Sequence, residues 1–150
     1  MKINIVDLAN NLQFIKPYIE LRNSFSDKLL CDTVQLKETL EWIKHNTIVV
    51  LVALEQEQLV GAVILYLSKD NEVSIFSKVS RKGIGTHLLQ AIERVALKKQ
   101  LPSLYSWIED TNKISQTLFV KQKYISKRQS TKSHNNVEYL GTSFQKELST

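Results

Sequence analysis

The residues best suited to bind a ligand lie in a short basic turn, Arg81-Lys82-Gly83-Ile84-Gly85-Thr86. Glycine permits positive φ angles and allows a ligand to approach the main chain closely. A helix that begins at such a turn presents unpaired N–H groups and the positive end of its dipole to an anion. Arg81 and Lys82 add positive charge at the same place. The turn therefore predicts a site for a phosphate-bearing ligand, and the alternative is that the glycines only form a tight turn.

Two common phosphate-binding motifs are excluded. The Walker pattern requires Gly-x4-Gly-Lys-Ser/Thr, which does not occur in the chain. The dinucleotide-binding pattern requires a third glycine, and Leu88 stands at that position. A different phosphate ligand must therefore be sought from the surrounding elements.

The elements around the turn are a strand and an amphipathic helix. The run Val73–Phe76 predicts the strand, and a helix is predicted from the turn to about Gln100. Apolar residues recur at the spacing of one buried helix face, at Leu88, Leu89, Ile92, Val95 and Ala96. This arrangement places the glycine turn at the point where a strand enters a helix.

The rest of the chain predicts one mixed α/β domain with the order β-α-α-β-β-β-α-β-α-β-β. We expect strands at residues 2–6, 48–54, 59–67, 73–76, 104–108, 124–130 and 137–148. We expect helices at residues 8–30, divided or kinked at Pro17, and at 33–46, 84–100 and 112–121. Asp7 is predicted to cap the first helix and Thr33 the second.

Composition limits the classes of function. No apolar run approaches the roughly 20 residues that span a bilayer, and no signal-peptide core is evident. A single cysteine allows no internal disulfide, so we expect a cytoplasmic protein without a membrane anchor. The cysteine and the three histidines are far apart in the sequence and form no metal-binding pattern.

The net charge of +5 favours an anionic partner. The excess is greatest between Lys113 and His134, where six basic residues occur without an acidic one. The chain lacks the aromatic pattern and motifs of nucleic-acid-binding domains, so nucleic acid is not the favoured partner.

A second motif, together with the first, carries a family resemblance. It follows a predicted strand ending in Glu109-Asp110 and runs Asn112-Lys113-Ile114-Ser115-Gln116-Thr117-Leu118-Phe119-Val120-Lys121-Gln122-Lys123-Tyr124. This run resembles Asn-x-x-Ala-x-x-Leu-Tyr-x-Lys-x-Gly-Phe of the GNAT superfamily of acyl-CoA-dependent N-acyltransferases. The glycine turn resembles the Gln/Arg-x-x-Gly-x-Gly/Ala motif of the same family. The resemblance covers residues 2 to 148 and implies a mixed central sheet of six to seven strands flanked by about four helices.

The resemblance also implies where the donor, acetyl-CoA, would bind. The amides of Lys82–Thr86 would hold the pyrophosphate, and Arg81 and Lys82 would add charge beside it. The edge of the central strand at Ile75, Phe76 and Ser77 would bind the pantetheine arm, while Asn112 would contact the cofactor from the other side. No metal is implied.

The chain departs from the family pattern at three positions. Ser80 replaces Gln or Arg, and Lys123 replaces a glycine. Phe119 occupies the cofactor-side position of the tyrosine that protonates the leaving thiolate in many members. Since phenylalanine cannot donate a proton, the role of that acid is left vacant at this position.

The implied reaction requires a base for the amine and an acid for the thiolate. Glu109 is the preferred base because it ends a strand beside the central one, and Glu72 is the other candidate. Glu109 and Asp110 could instead only cap the helix at Asn112. Tyr124, Tyr105 and Tyr66 are the candidates for the acid, and the thiolate of CoA could also leave without one.

The acceptor is predicted to be a small amine. The resemblance implies that it would contact the first two helices, especially from Glu20 through Asp32, and the Thr131–Asn136 hairpin, and Arg22 and Asp32 are polar enough to hold it. The positive field would suit an anionic acceptor such as a nucleotide-linked amino sugar, and it would equally suit CoA. Three functions remain open: an N-acetyltransferase, a catalytically silent acyl-CoA-binding module, and a nucleic-acid-binding domain. The last strands could also pair across a homodimer.

Overall fold

A computed structural model gives the structure of residues 2–78 and 83–148. Its strands are β1 (Ile3–Asp7), β2 (Ile48–Glu55), β3 (Gln58–Tyr66), β4 (Glu72–Ser77), β5 (Ser103–Glu109), β6 (Ile125–His134) and β7 (Val137–Glu147). Its α-helices are α1 (Ile15–Ser24), α2 (Ser26–Leu29), α3 (Leu36–Trp42), α4 (Ile84–Lys98) and α5 (Lys113–Lys121). The predicted mixed α/β fold is confirmed, with one more short helix, α2, than expected.

All seven strands form one sheet in the order β1-β2-β3-β4-β5-β7-β6. Neighbouring strands are antiparallel except β4 and β5, which are parallel. A parallel pair needs a crossover connection, and α4 supplies it. The glycine turn between β4 and α4 is therefore at the centre of the sheet.

Helices cover the two faces of the sheet, which explains the nearly continuous apolar runs of β2 and β3. On one face α4 buries its predicted stripe, and Leu88, Leu89 and Ile92 are fully buried there. On the other face α1 packs Tyr18 and Leu21 against the sheet. The core thus forms two layers, one on each side.

The N-terminal region differs from the prediction at its helix boundaries. Pro17 does not divide a helix: it lies in the first turn of α1, where a missing N–H costs no hydrogen bond, and short 3₁₀ turns precede it. The predicted cap at Asp7 is confirmed, since its Oδ1 accepts from Ala9 N at 3.0 Å. The predicted cap at Thr33 is wrong: α3 begins two residues later, with Gln35 as the N-cap.

The last hairpin is more regular than its sequence indicated. β6 extends through His134, and only Asn135 and Asn136 form the turn, with φ angles of 51° and 64°. Two positive φ angles suit the twist of a two-residue hairpin. Beneath the hairpin, Trp107 of β5 lies against Gly141, and its Nε1 donates to Ser130 Oγ at 3.1 Å.

Gly141→Ala should destabilise the protein by about 1–3 kcal/mol, because the added Cβ would collide with the Trp107 indole and force it to move. Urea unfolding measures this change. Ser130→Ala is the control, since it removes the indole hydrogen bond but not the space, and should cost no more than about 1 kcal/mol. Equal stability of Gly141→Ala and the wild type would contradict the proposed packing.

Candidate active site

Strands β4 and β5 diverge, and this opens the middle of the sheet. Their pairing is registered only at Glu72 with Tyr105. Close by, Ser106 Oγ donates to the main-chain oxygen of Val73 at 2.7 Å, and both residues are buried. Beyond Val73, β4 continues to pair with β3 as far as Ser77, but no further pair with β5 is registered within the described residues. The second half of β4 therefore presents one edge to a gap.

A cavity of about 620 Å³, here called the helix-end cavity, lies at this gap. Residues of β4 and of the starts of α4 and α5 line it, so two helix N-termini meet there. Its described lining also includes four lysines, Lys28, Lys78, Lys113 and Lys121, and it includes no acidic residue. Helix N-termini and uncompensated cations at one place favour a ligand with several negative charges.

The two glycines at the start of α4 serve different purposes. Gly83 is the N-cap with a φ angle of 70°, and no atom lies near its missing Cβ, so the backbone angle is what requires glycine. Gly85 is needed for space, because a Cβ there would lie 3.0 Å from Leu118 Cδ2 of α5. One glycine thus shapes the helix start, and the other allows α5 to approach it.

Asn112 fixes the start of α5. Its Oδ1 accepts from Ser115 N at 3.2 Å, so the side chain is the N-cap of that helix. Its Nδ2 group has no hydrogen-bond partner among the described residues. Asn112 therefore positions the N-terminus of α5 at the helix-end cavity, and its Nδ2 group remains available to donate a hydrogen bond to a ligand.

A second cavity of about 630 Å³, here called the loop-side cavity, lies on the face of the sheet that α1 covers. β3 and β4 form its floor, α1, α3 and the segment 29–34 enclose it, and Lys132 of β6 reaches it. Its polar lining includes Arg22, Asp32, Thr33, Glu38, Tyr66, Lys69, Glu72 and Ser74. It therefore combines charges of both signs with hydroxyl groups.

The hydroxyl groups around this cavity stay protonated near neutral pH. Burial raises the pKa of Tyr66, and the Arg22 guanidinium offsets part of that rise. Burial, and then the negative charge of Glu72, raise the pKa of Tyr105 to about 12. Tyr66 can therefore donate a hydrogen bond to a ligand in the cavity, and Tyr105, which does not line it, can donate to the Glu72 carboxylate.

The two cavities meet at the middle of β4. Leu29 lines both of them. Along β4, Ser74 lines the loop-side cavity, and the next residue, Ile75, lines the helix-end cavity. Phe76 packs beside Phe25 with ring centroids 5.8 Å apart and completes the boundary. Two ligands, one in each cavity, would approach each other there.

Most residues predicted to bind a cofactor lie together. The helix-end cavity is lined by Ile75, Phe76, Ser77, Gly83, Gly85, Thr86 and Asn112. Ile84 is fully buried, so only its main chain could face a ligand. Phe119 is 1% exposed and does not line the cavity. Arg81 and Lys82 lie outside the described residues.

The three predicted catalytic residues do not lie together. Glu72 lines the loop-side cavity, whereas Glu109 lines neither cavity and its Oε1 accepts from Thr111 Oγ1 at 2.8 Å. Tyr124 is 3% exposed and packs edge-on against Phe119, with centroids 4.9 Å apart. Burial, and then the Glu93 carboxylate, raise the pKa of Tyr124. A part in catalysis for Glu109 or Tyr124 stays a prediction from sequence alone.

Several lining residues of the loop-side cavity carried no signal in the sequence. Tyr18 and Trp42 have the spacing of core positions on their helices, and Lys69 lies in a polar turn. Such positions look like ordinary packing or solvated charge. Arg22 and Asp32, by contrast, belong to segments expected to contact the acceptor, and both line the cavity.

The described residues contain neither a metal-binding cluster nor a membrane-spanning helix. No group of three or more metal-ligating side chains occurs among them. No helix within residues 2–78 and 83–148 is long and apolar enough to cross a membrane.

Comparisons with known proteins point to one family. Residues 16–124 match the family model "Acetyltransferase (GNAT) family". The sequence matches none of the curated proteins with which it was compared.

Solved structures share the fold over the whole chain. Ribosomal-protein-alanine N-acetyltransferase from Brucella melitensis is 19% identical with a TM-score of 0.82, covering 99% of this chain and 100% of its own. An N-acetyltransferase from Staphylococcus aureus Mu50 is 17% identical with a TM-score of 0.81, covering 99% and 100%. The Salmonella typhimurium protein yncA, solved with its cofactor acetyl-CoA, is 18% identical with a TM-score of 0.80, covering 98% and 94%.

Ser106→Ala should destabilise the fold by about 1–3 kcal/mol, because it leaves the buried Val73 oxygen without its hydroxyl donor. Urea unfolding measures the change. Ser74→Ala, at a half-buried serine on the other strand, is the matched control and should change stability by no more than about 0.5 kcal/mol. Equal effects of the two variants would show that the Ser106 hydrogen bond does not hold the strands.

Proposed function

This chain belongs to the GNAT acetyltransferase family, and we propose that it transfers an acetyl group from acetyl-CoA to the primary amine of a small molecule. The observation that carries the proposal is the meeting of two chemically different cavities at the middle of β4. One favours a polyanion, and the other contains a carboxylate beside hydroxyl donors. Such an arrangement suits direct transfer between two substrates bound at the same time.

The helix-end cavity fits the donor. The N-termini of α4 and α5 and the four lysines suit the phosphates of CoA, since amide dipoles and cations both stabilise them. The edge of β4 at Ile75–Ser77 faces the gap and can hydrogen-bond the amides of the pantetheine arm, as an added strand would. The related fold of yncA was solved with acetyl-CoA. When bound, acetyl-CoA supplies a reactive thioester.

Glu72 is our candidate for the base. It is half-buried, lines the loop-side cavity and lies at the start of the strand that separates the two cavities. The amine nitrogen attacks the thioester carbonyl carbon, so that a C–N bond forms and the C–S bond breaks. The proton lost by the nitrogen passes to the Glu72 carboxylate, directly or through a water molecule. A main-chain N–H of β4 near Phe76 or Ser77 would stabilise the developing negative charge on oxygen.

The sulfur can leave without a dedicated acid. Phe119 has no proton to donate, and it is buried against Tyr124. A free thiol has a pKa of about 8.5, so the thiolate is already a stable leaving group near neutral pH. Tyr66 remains a further candidate for proton donation, because it lines the loop-side cavity in its neutral form.

The buried Phe119–Tyr124 pair favours a second candidate function, a silent module that binds acyl-CoA without turnover. Release of free thiol from acetyl-CoA in the presence of amines separates the two functions. The amine panel should include a nucleotide-linked amino sugar, since the basic surface would suit one. Binding without thiol release would favour the silent module.

Gly83→Val should weaken acetyl-CoA binding at least about tenfold, because a β-branched residue is strained at a φ angle of 70° and would distort the start of α4. Isothermal titration calorimetry with acetyl-CoA measures this affinity. His87→Val, at an exposed position one turn further along α4, adds the same side chain away from the cavity and should leave the affinity unchanged. No binding to the wild type would refute the donor assignment.

Glu72→Gln should lower kcat by about 100-fold or more while leaving the affinity for acetyl-CoA unchanged, because it removes the proton acceptor but keeps the shape. Glu109→Gln should retain activity, since Glu109 lines neither cavity. The thiol-release assay measures both variants. If Glu109→Gln lost activity and Glu72→Gln kept it, the base assignment would have to be reversed.

A further inference from the structure

The charges of the loop-side cavity are balanced, unlike those of the helix-end cavity. Within residues 2–78 and 83–148, its lining contains three basic residues, Arg22, Lys69 and Lys132, and three acidic residues, Asp32, Glu38 and Glu72. A polyanionic acceptor would meet carboxylates there, and a polyamine would meet cations. The balance favours an acceptor that carries one charge of each sign.

Arg22 and Glu72 are the two charged residues that the cavity shields from solvent. Both are half-buried, whereas the other four are exposed. They do not form an ion pair with each other or with any other described residue. Tyr66 lines the same cavity and is paired with Glu72 across β3 and β4, and the Arg22 guanidinium also acts on its hydroxyl. A ligand bound beside Tyr66 would therefore lie near both charges.

The Arg22 end is equipped for an oxyanion. Arg22 Nη1 donates to the main-chain oxygen of Asp32 at 3.2 Å, which orients the guanidinium and leaves most of its donors available. Tyr18 also lines the cavity. It is fully buried, and its Oη has no hydrogen-bond partner among the described residues. A buried hydroxyl without a partner is costly, and a ligand oxygen would satisfy it.

The Glu72 end is equipped for an amine. Tyr66 and Glu72 are directly opposed on β3 and β4, and Ser74 is the next residue of β4 on the same face. This row leads along β4 towards Leu29, where the two cavities meet. An ammonium group attracted by Glu72 would thus lie on the donor's side of the cavity.

We infer that the acceptor is a free amino acid, whose amine lies toward Glu72 and whose carboxylate is bound by Arg22 and Tyr18. The guanidinium matches a carboxylate in a planar, two-point geometry, and the Tyr18 hydroxyl adds a third donor. The N-terminus of a peptide fits less well, because an amide replaces the carboxylate. The inference rests on the proposed function and names the acceptor class for it.

The test compares the twenty common L-amino acids with their primary amides in the thiol-release assay at saturating acetyl-CoA. Each amide keeps the size and side chain of its amino acid, removes the negative charge and resembles a peptide N-terminus. At least one amino acid should exceed its own amide in kcat/KM by about 10- to 100-fold, as expected for hydrogen bonds to a charged group.

Two variants locate this preference. Arg22→Met keeps most of the stem and should reduce the ratio of acid to amide to near one, mainly by raising KM. Arg94→Met removes an arginine from an exposed position of α4 away from both cavities, and should keep the ratio. Tyr18→Phe should raise KM for the amino acid several-fold without lowering the unfolding midpoint in urea, because its hydroxyl has no partner to lose.

Amides that equal or exceed their amino acids would overturn the inference while leaving the acetyltransferase proposal intact. An acid preference that Arg22→Met and Tyr18→Phe both preserve would also overturn it. Thiol release with none of the amino acids, in a protein that binds acetyl-CoA, would exclude this acceptor class. Absence of acetyl-CoA binding would instead refute the donor side of the proposed function.

Discussion

The separation of β4 from β5 is the constraint on which the rest of the structure depends. An unpaired edge in the middle of a sheet is costly, because main-chain groups lose their partners. The protein confines this cost to half a strand. The Ser106 hydroxyl bonds the Val73 oxygen where the two strands are still close, and β3 continues to pair with β4 on its other side. The gap is thus built from an otherwise regular sheet, and the starts of α4 and α5 face it. A ligand that adds hydrogen bonds along this edge recovers part of the lost pairing.

The same strand also divides the two cavities. Ser74 lines the loop-side cavity, whereas the next three residues, Ile75, Phe76 and Ser77, line the helix-end cavity. The charges follow this division. The basic stretch near the C-terminus contributes Lys113 and Lys121 to the helix-end cavity, and Lys132 to the loop-side cavity, where carboxylates balance it. Among the described residues, the excess of positive charge therefore lies in the lining of the helix-end cavity and not in that of the loop-side cavity. It is a poor guide to the acceptor.

Local patterns in the sequence were sufficient to predict the elements of the fold. The stripe of α4, the hairpins and the glycine start of α4 at Gly83 each depend on a few neighbouring residues, and all are present. Choosing between Glu72 and Glu109 required long-range information. Both lie at strand ends beside polar turns, and they differ in which residues surround them in the folded protein. The loop-side cavity has the same origin, since α1, α3 and β6 each contribute part of it. A partly buried arginine such as Arg22 can be recognised as a ligand-binding residue only when its neighbours in space are known.

The packing of Phe119 against Tyr124 bears on how such a site could accelerate a reaction. In this part of the fold two aromatic rings are buried together, and neither presents a proton to the helix-end cavity. In the proposed reaction the sulfur leaves as a thiolate, which the pKa of a thiol allows. The barrier that remains is mostly one of position: the amine must be deprotonated and held in line with the thioester carbonyl. Holding two reactants in this way can supply a large part of a rate enhancement. The divergence of β4 and β5 lets the two cavities meet at the middle of β4, so in the proposed reaction the backbone geometry holds the two substrates together and Glu72 accepts the proton.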